Sequence, residues 1–200
     1  MFIVFTLPRS RSAWLSHFLA VPGTSVGHDI TRHCSSIEEF TCAFNSSPSY
    51  PSGLAGTVET GAMYGWKTIK SRLPQATLAV VRRPTSEVLT SLEALGVTDF
   101  ADELAAREHM LDCISNLPRV LTLSYASLAT EIGAGELFKH CIGGIVSDEW
   151  YEHWNHCNIQ IDFKARMAEI VSNIPRLARL RAEITLENQR VSGLARIGLQ

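Results

Sequence analysis

The chain begins Met1 and then FIVFTLPRSRSAWLSHFLA, residues 2–20. The first five of these, FIVFT (2–6), are β-branched and aromatic, the composition of a strand buried on both faces. SAWLSHFLA (12–20) sets Trp14, Leu15, Phe18 and Leu19 on one side of a helix, with Ser12 as its expected N-cap. Between strand and helix stand Arg9, Ser10, Arg11 and Ser12. In a parallel sheet such a turn falls at the carboxyl end of the strand, where ligands bind. Its amides and the positive end of the helix dipole converge there on an anion, and the serines and arginines add side-chain donors. An exposed, serine-capped turn is the plainer use of the same residues.

The strand, turn and helix order recurs. ATLAVVR (76–82) is the strongest buried-strand candidate, Pro84 sits where a helix's first turn accepts it, and SEVLTSLEALG runs on as a helix to Gly96. Arg82 and Arg83 close that strand, and Ser91 follows Arg83 by about two helical turns on the same side. VPGTSV leads into a short extended piece ending at Gly27, His28 and Asp29. SSIEEFTCAF (35–44) is expected to be a helix with a capping box of Ser35 and Glu38, and SSPSYPSG (46–53) a loop. LAGTVET (54–60) reads as a strand, GAMYGWKTIKSRL (61–73) as a short helix, 98–115 as a long one, and RVLTLSY (119–125) as a further strand. Helices are expected over most of the remainder to 190. The alternation predicts one α/β domain over 1–200: a three-layer fold, a parallel sheet with helices on both faces, ending in a helical extension from about 160.

Composition narrows the function. The formal net charge is −2, which argues against a general nucleic-acid or membrane-surface binder and requires any anion site to be local. Five cysteines without a repeated CxxC spacing, no leader-like start and no membrane-length apolar run lead us to expect a reduced, cytoplasmic protein. Arginine far outnumbers lysine, which suits forked contacts to phosphate, sulfate or carboxylate. The Walker pattern GxxxxGK[ST] is absent, and the first turn contains no glycine.

Two arginine-bearing turns in one sheet suggest a ligand with two separated anionic groups. At this point the residues carry a family resemblance. Leu7-Pro8-Arg9-Ser10-Arg11-Ser12-Ala13-Trp14-Leu15 resembles the 5′-phosphosulfate loop of the sulfotransferases that use 3′-phosphoadenosine 5′-phosphosulfate (PAPS), commonly P-K-S-G-T-T-W-L. VVRRPTSEVLTS resembles their 3′-phosphate motif, an Arg followed eight residues later by a Ser, and RVLTLSYASL (119–128) is similar to their strand followed by Y-E-D-L. The resemblance covers the first two-thirds of the chain and implies a fold of the P-loop nucleotide-binding superfamily. It further implies a PAPS donor and in-line sulfuryl transfer to a hydroxyl or amine, with no metal required. By it Arg9 takes the role of the loop lysine, and Ser10, Arg11, Ser12, Ala13 and Trp14 form the 5′ site. Arg82 or Arg83, with Ser91, takes the 3′-phosphate: the proline spacing matches Arg82, the spacing to Val and Ser matches Arg83.

The chain also departs from the family. Arg11 and Ala13 stand in place of Gly and Thr, and Trp66-Lys67-Thr68-Ile69-Lys70 puts isoleucine where cytosolic members carry a catalytic histidine. His28 with Asp29, and Glu59, are the candidate bases because they fall at strand ends; each also fits an ordinary turn or helix-start role. Lys67 is a candidate contact to the sulfuryl group, and also reads as a solvated helix lysine.

Other patterns are set aside. Cys113 and Arg119 have phosphatase spacing in the wrong local setting. His153, His156 and Cys157 lack a completing set of zinc ligands. The run 164–190, with Arg166, Arg176, Arg179 and Arg181, reads as an amphipathic helix that packs on the domain or against a second copy in a homodimer. Two further readings stand beside the transferase: a nucleotide- or anion-binding or assembly module without turnover, and a kinase-like phosphotransferase, the latter opposed by the absent Walker loop.

Overall fold

A computed structural model describes residues 1–45 and 51–157, with isolated positions 159, 182 and 186. The loop residues 46–50 and, apart from positions 182 and 186, the basic run at 164–190 with its four arginines lie outside the described residues. The sheet has five strands: β1 Phe2–Thr6, β2 Val26–His28, β3 Gly56–Glu59, β4 Thr77–Arg82 and β5 Leu121–Ser124. Their order is β2-β3-β1-β4-β5, and every pairing is parallel. The chain is therefore an α/β protein with a parallel sheet.

Helices lie on both faces. All five residues of β1 are buried, and alternation divides them. Phe2 and Val4 pack in one core with Trp14, Leu15 and Phe18 of α1 (Ser12–Phe18), and with Leu137 and Phe138 of α6 (Glu131–Ile142). α7 (Asp148–Asn155) adds Tyr151 to that core. Ile3 and Phe5 pack in the opposite core with α2 (Ile37–Cys42), α3 (Trp66–Arg72), α4 (Thr85–Glu93) and α5 (Ala101–Ser115). Continuous burial of apolar residues, each worth about 1.5–3 kcal/mol, is what a strand between two helical layers requires.

Local boundaries differ from expectation in three places. Ser12 is the first helical residue of α1 and not its cap; Arg11 occupies the cap position, left-handed at φ 60°, with no side-chain cap bond. The capping box of α2 sits one residue later: Ser36 Oγ accepts from Glu39 N, and Glu39 accepts from Ser35 N. The segment 61–73 splits into a 3₁₀ turn, Ala62–Gly65, and α3.

Register aligns the strand ends. Thr6 lies opposite Val81, Phe5 opposite Glu59, His28 opposite Val58 and Arg82 opposite Ser124. One carboxyl edge thus carries the loop after β1 at its centre, the turns after β2 and β3 to one side, and those after β4 and β5 to the other. No helix among the described residues is long and apolar enough to cross a membrane.

Candidate functional site

The loop between β1 and α1 is folded by its backbone. Arg9 and Arg11 both adopt left-handed conformations, φ 63° and 60°, with Ser10 buried between them. Alternating turns of this kind form concave, anion-binding runs of N–H groups. The first amides of α1 have no intrahelical acceptor. Pro8 and Arg9 are half-buried, and Arg11 lies over the Trp14 ring at 4.9 Å.

The turn after β4 closes on this loop. Arg9 Nε donates to Ser91 Oγ at 3.1 Å, joining residues 82 apart in sequence. The Arg83 guanidinium donates to the Arg9 carbonyl oxygen, pairs with Glu87 at 3.1 Å and stacks over the Tyr125 ring at 4.5 Å. Arg82 goes elsewhere: it is ion-paired to Glu108 and, at 2.6 Å, to Asp112, both on α5. Those carboxylates raise its pKa above the usual arginine value, against the opposing effect of its burial. Of the two arginines, Arg83 meets the loop.

From the other side comes the turn after β2. His28 Nε2 lies 2.9 Å from Ser12 Oγ and 3.5 Å from Asp29 Oδ2. Both contacts use one ring nitrogen, whereas a hydrolase triad places its carboxylate on the nitrogen opposite the serine. Asp29, left-handed at φ 49°, accepts through Oδ1 from the Thr60 amide at 2.7 Å and the Thr60 hydroxyl at 2.9 Å.

Glu59 is fully buried. Its Oε1 meets Ile30 N at 2.8 Å and Thr57 Oγ1 at 2.7 Å; its Oε2 meets Thr31 Oγ1 at 2.7 Å. Burial, followed by the charge of Asp29, pushes its pKa from 4.5 up to about 8. The geometry thus gives Glu59 an internal place, while His28 is in contact with the loop.

No protein-family model, curated protein or solved structure matches the chain. The site is therefore read from its own geometry.

Arg9, Ser10, Ser12, His28, Arg83 and Ser91 come together, with Arg11 beside them. Ala13 is half-buried in the first turn of α1. The Trp14 ring is core: it stacks on Phe18 at 4.7 Å and donates to the Trp154 carbonyl at 2.6 Å. Lys67 is exposed, its ammonium 5.7 Å from the Trp66 ring, while Ile69 is buried in the core. Cys113 lies within α5, its Sγ 4.0 Å from His109 Nε2. His156 and Cys157 turn to the carbonyls of Glu152 and His153.

Sequence reasoning missed Tyr125 as the platform under Arg83, Glu108 and Asp112 as partners of Arg82, and the threonines around the two carboxylates. Thr57 alone left a signal, since two residues before Glu59 on a strand is the same face. Arg107, which donates to the Thr60 carbonyl and pairs with Glu103 at 2.8 Å, left none.

Proposed function

We propose that this chain is a sulfotransferase-like protein that binds PAPS at the carboxyl edge of its sheet and transfers the sulfuryl group to a hydroxyl or amine. We assign the parallel sheet to the P-loop nucleotide-binding superfamily on the same grounds. One observation carries the reading: the two phosphate motifs, remote in sequence, meet through Arg9 with Ser91 and Arg83 with the Arg9 carbonyl. A second supports it. Arg11 stands where the resembled loop has glycine, and its φ of 60° is the conformation glycine supplies without strain.

In this reading the loop amides and Ser12 hold the 5′-phosphate, with the buried Ser10 shaping the loop beneath them, and Arg83 with Ser91 holds the 3′-phosphate. Arg9 stabilises the charge that grows on the leaving oxygen. A new S–O or S–N bond forms to the acceptor, the bond from sulfur to the 5′-phosphate oxygen breaks, and its electron pair stays on the phosphate. The acceptor proton passes to His28 Nε2. Arginine serves the leaving charge as a fixed fork where the resembled loop uses a point charge.

Thermal unfolding tests the donor. A ligand at one hundred times its Kd stabilises by about 2.7 kcal/mol, roughly 5–10 °C for a chain of this size. 3′-Phosphoadenosine 5′-phosphate is expected to give that shift, and ATP and adenosine 5′-phosphate at equal concentration a smaller one. Equal shifts from all three would overturn the assignment.

A further inference from the structure

The reading above uses His28 and leaves Glu59, a buried carboxyl, without a task. We propose that Glu59 is a positioning residue for His28: by gripping the turn at Ile30 and Thr31 it holds the end of β2 so that the imidazole meets Ser12. The inference rests on the nucleotide-site reading for its catalytic consequence, though not for its geometry.

The grip has three parts. Glu59 ends β3, and its two oxygens take Ile30 N, Thr57 Oγ1 and Thr31 Oγ1 at 2.7–2.8 Å. Thr57 lies two residues back on the same strand face, so it aims the carboxyl. Ile30 and Thr31 lie directly beyond the His28–Asp29 pair, so the carboxyl fixes the direction in which the chain leaves β2. Asp29 completes the join, accepting from both the amide and hydroxyl of Thr60, the residue after Glu59. The left-handed backbone of Asp29, φ 49°, is an unfavourable conformation for a residue with a Cβ and persists only where surrounding bonds impose it. Those bonds come from β3. With β2 and β3 locked end to end, His28 Nε2 stands 2.9 Å from Ser12 Oγ.

Burial and the Asp29 charge favour the neutral acid, against the three donated hydrogen bonds, which favour the carboxylate. Oε1 accepts from the Ile30 amide and the Thr57 hydroxyl, and Oε2 accepts from the Thr31 hydroxyl; when the acid is protonated at Oε2, the Thr31 hydroxyl turns to accept that proton. Glutamine reproduces that arrangement, its side-chain N–H replacing the acid proton. Alanine abolishes it.

The test uses the full chain. NMR of the imidazole rings, with His28 assigned from the His28→Gln spectrum, reports the ring's surroundings. Release of sulfate from PAPS with water as acceptor reports chemistry: water oxygen bonds to sulfur, the bond to the phosphate oxygen breaks, and the proton goes to His28. Glu59→Gln is expected to keep the His28 ring signals and the rate. Glu59→Ala should move the ring signals toward those of a solvent-exposed imidazole and slow sulfate release tenfold or more. Its affinity for 3′-phosphoadenosine 5′-phosphate should stay within about threefold. Should Glu59→Ala not fold, Thr31→Val must give the same ring displacement to a smaller degree. Unchanged ring signals in Glu59→Ala, or in Thr31→Val, overturn the proposal, as does a Glu59→Gln that behaves like Glu59→Ala. If the bisphosphate fails to bind wild type, the nucleotide reading falls, and the ring signals alone still decide whether Glu59 positions His28.

Discussion

Arg82 and Arg83 are adjacent in sequence and opposed in space. Side chains alternate along an extended chain, so one arginine must face the first loop and the other the far helix. The sequence contains both and does not say which is which, because the deciding partners, Tyr125 and the Glu108–Asp112 pair, lie 26–42 residues away. The structure supplies the answer, and the two variants should differ accordingly. Arg83→Ala is expected to weaken binding of 3′-phosphoadenosine 5′-phosphate at least tenfold, since a charge-assisted contact is worth about 1.5–3 kcal/mol. Arg82→Ala should leave that affinity within about threefold and cost up to about 1 kcal/mol in stability, as expected of part-exposed ion pairs; calorimetry and denaturant unfolding read the two effects. Arg11 makes a second residue-level prediction. At φ 60°, Arg11→Gly should match wild type within about 1 kcal/mol, and the β-branched Arg11→Val should lose about 1–2 kcal/mol. Glu59 makes a third. Its folded pKa is raised, to about 8 from 4.5, so its contribution to stability is full below about pH 4.5 and is lost as pH rises through 8. Glu59→Gln removes that dependence. Its melting temperature relative to wild type should therefore rise steadily between pH 5 and 9, and a constant difference would refute the assignment.

At the scale of elements, what the sequence made legible was burial, and what it hid was register. FIVFT and ATLAVVR read as strands because nothing but a two-sided core accepts so many consecutive apolar residues. The capping box of α2 slipped by one because Ser35-Ser36 and Glu38-Glu39 offer the same spacing twice; burial of Ile37 and Phe40 selects the later pair. The stretch 61–73 looked like one helix, yet its first turn is 3₁₀ and the α-helix starts only at Trp66. Glycine 133 was silent in the sequence as well. In the structure a Cβ there would overlap the Ser127 carbonyl, where the turn after β5 meets the start of α6. Gly133→Ala is expected to destabilise by about 1–3 kcal/mol, measured by urea unfolding, with the candidate site as its nearest casualty, because that turn begins at Tyr125, the platform of Arg83.

Over the whole molecule, the strand order β2-β3-β1-β4-β5 explains how the candidate site is assembled. β1 lies at the centre, so its loop receives groups from both sides: His28 through β2 and β3, Arg83 and Ser91 through β4. The alternation of elements predicted a parallel sheet, but not this order, which depends on long-range pairing that local pattern does not encode. The central claim is that the edge takes one ligand bearing two phosphates. Calorimetric titration of wild type, Arg9→Ala and Arg83→Ala with 3′-phosphoadenosine 5′-phosphate and with adenosine 5′-phosphate tests it most directly. Wild type is expected to bind the bisphosphate at least tenfold more tightly than the monophosphate, and each substitution to weaken bisphosphate binding tenfold or more. Equal affinity for the two nucleotides, or a bisphosphate affinity indifferent to both arginines, would contradict it.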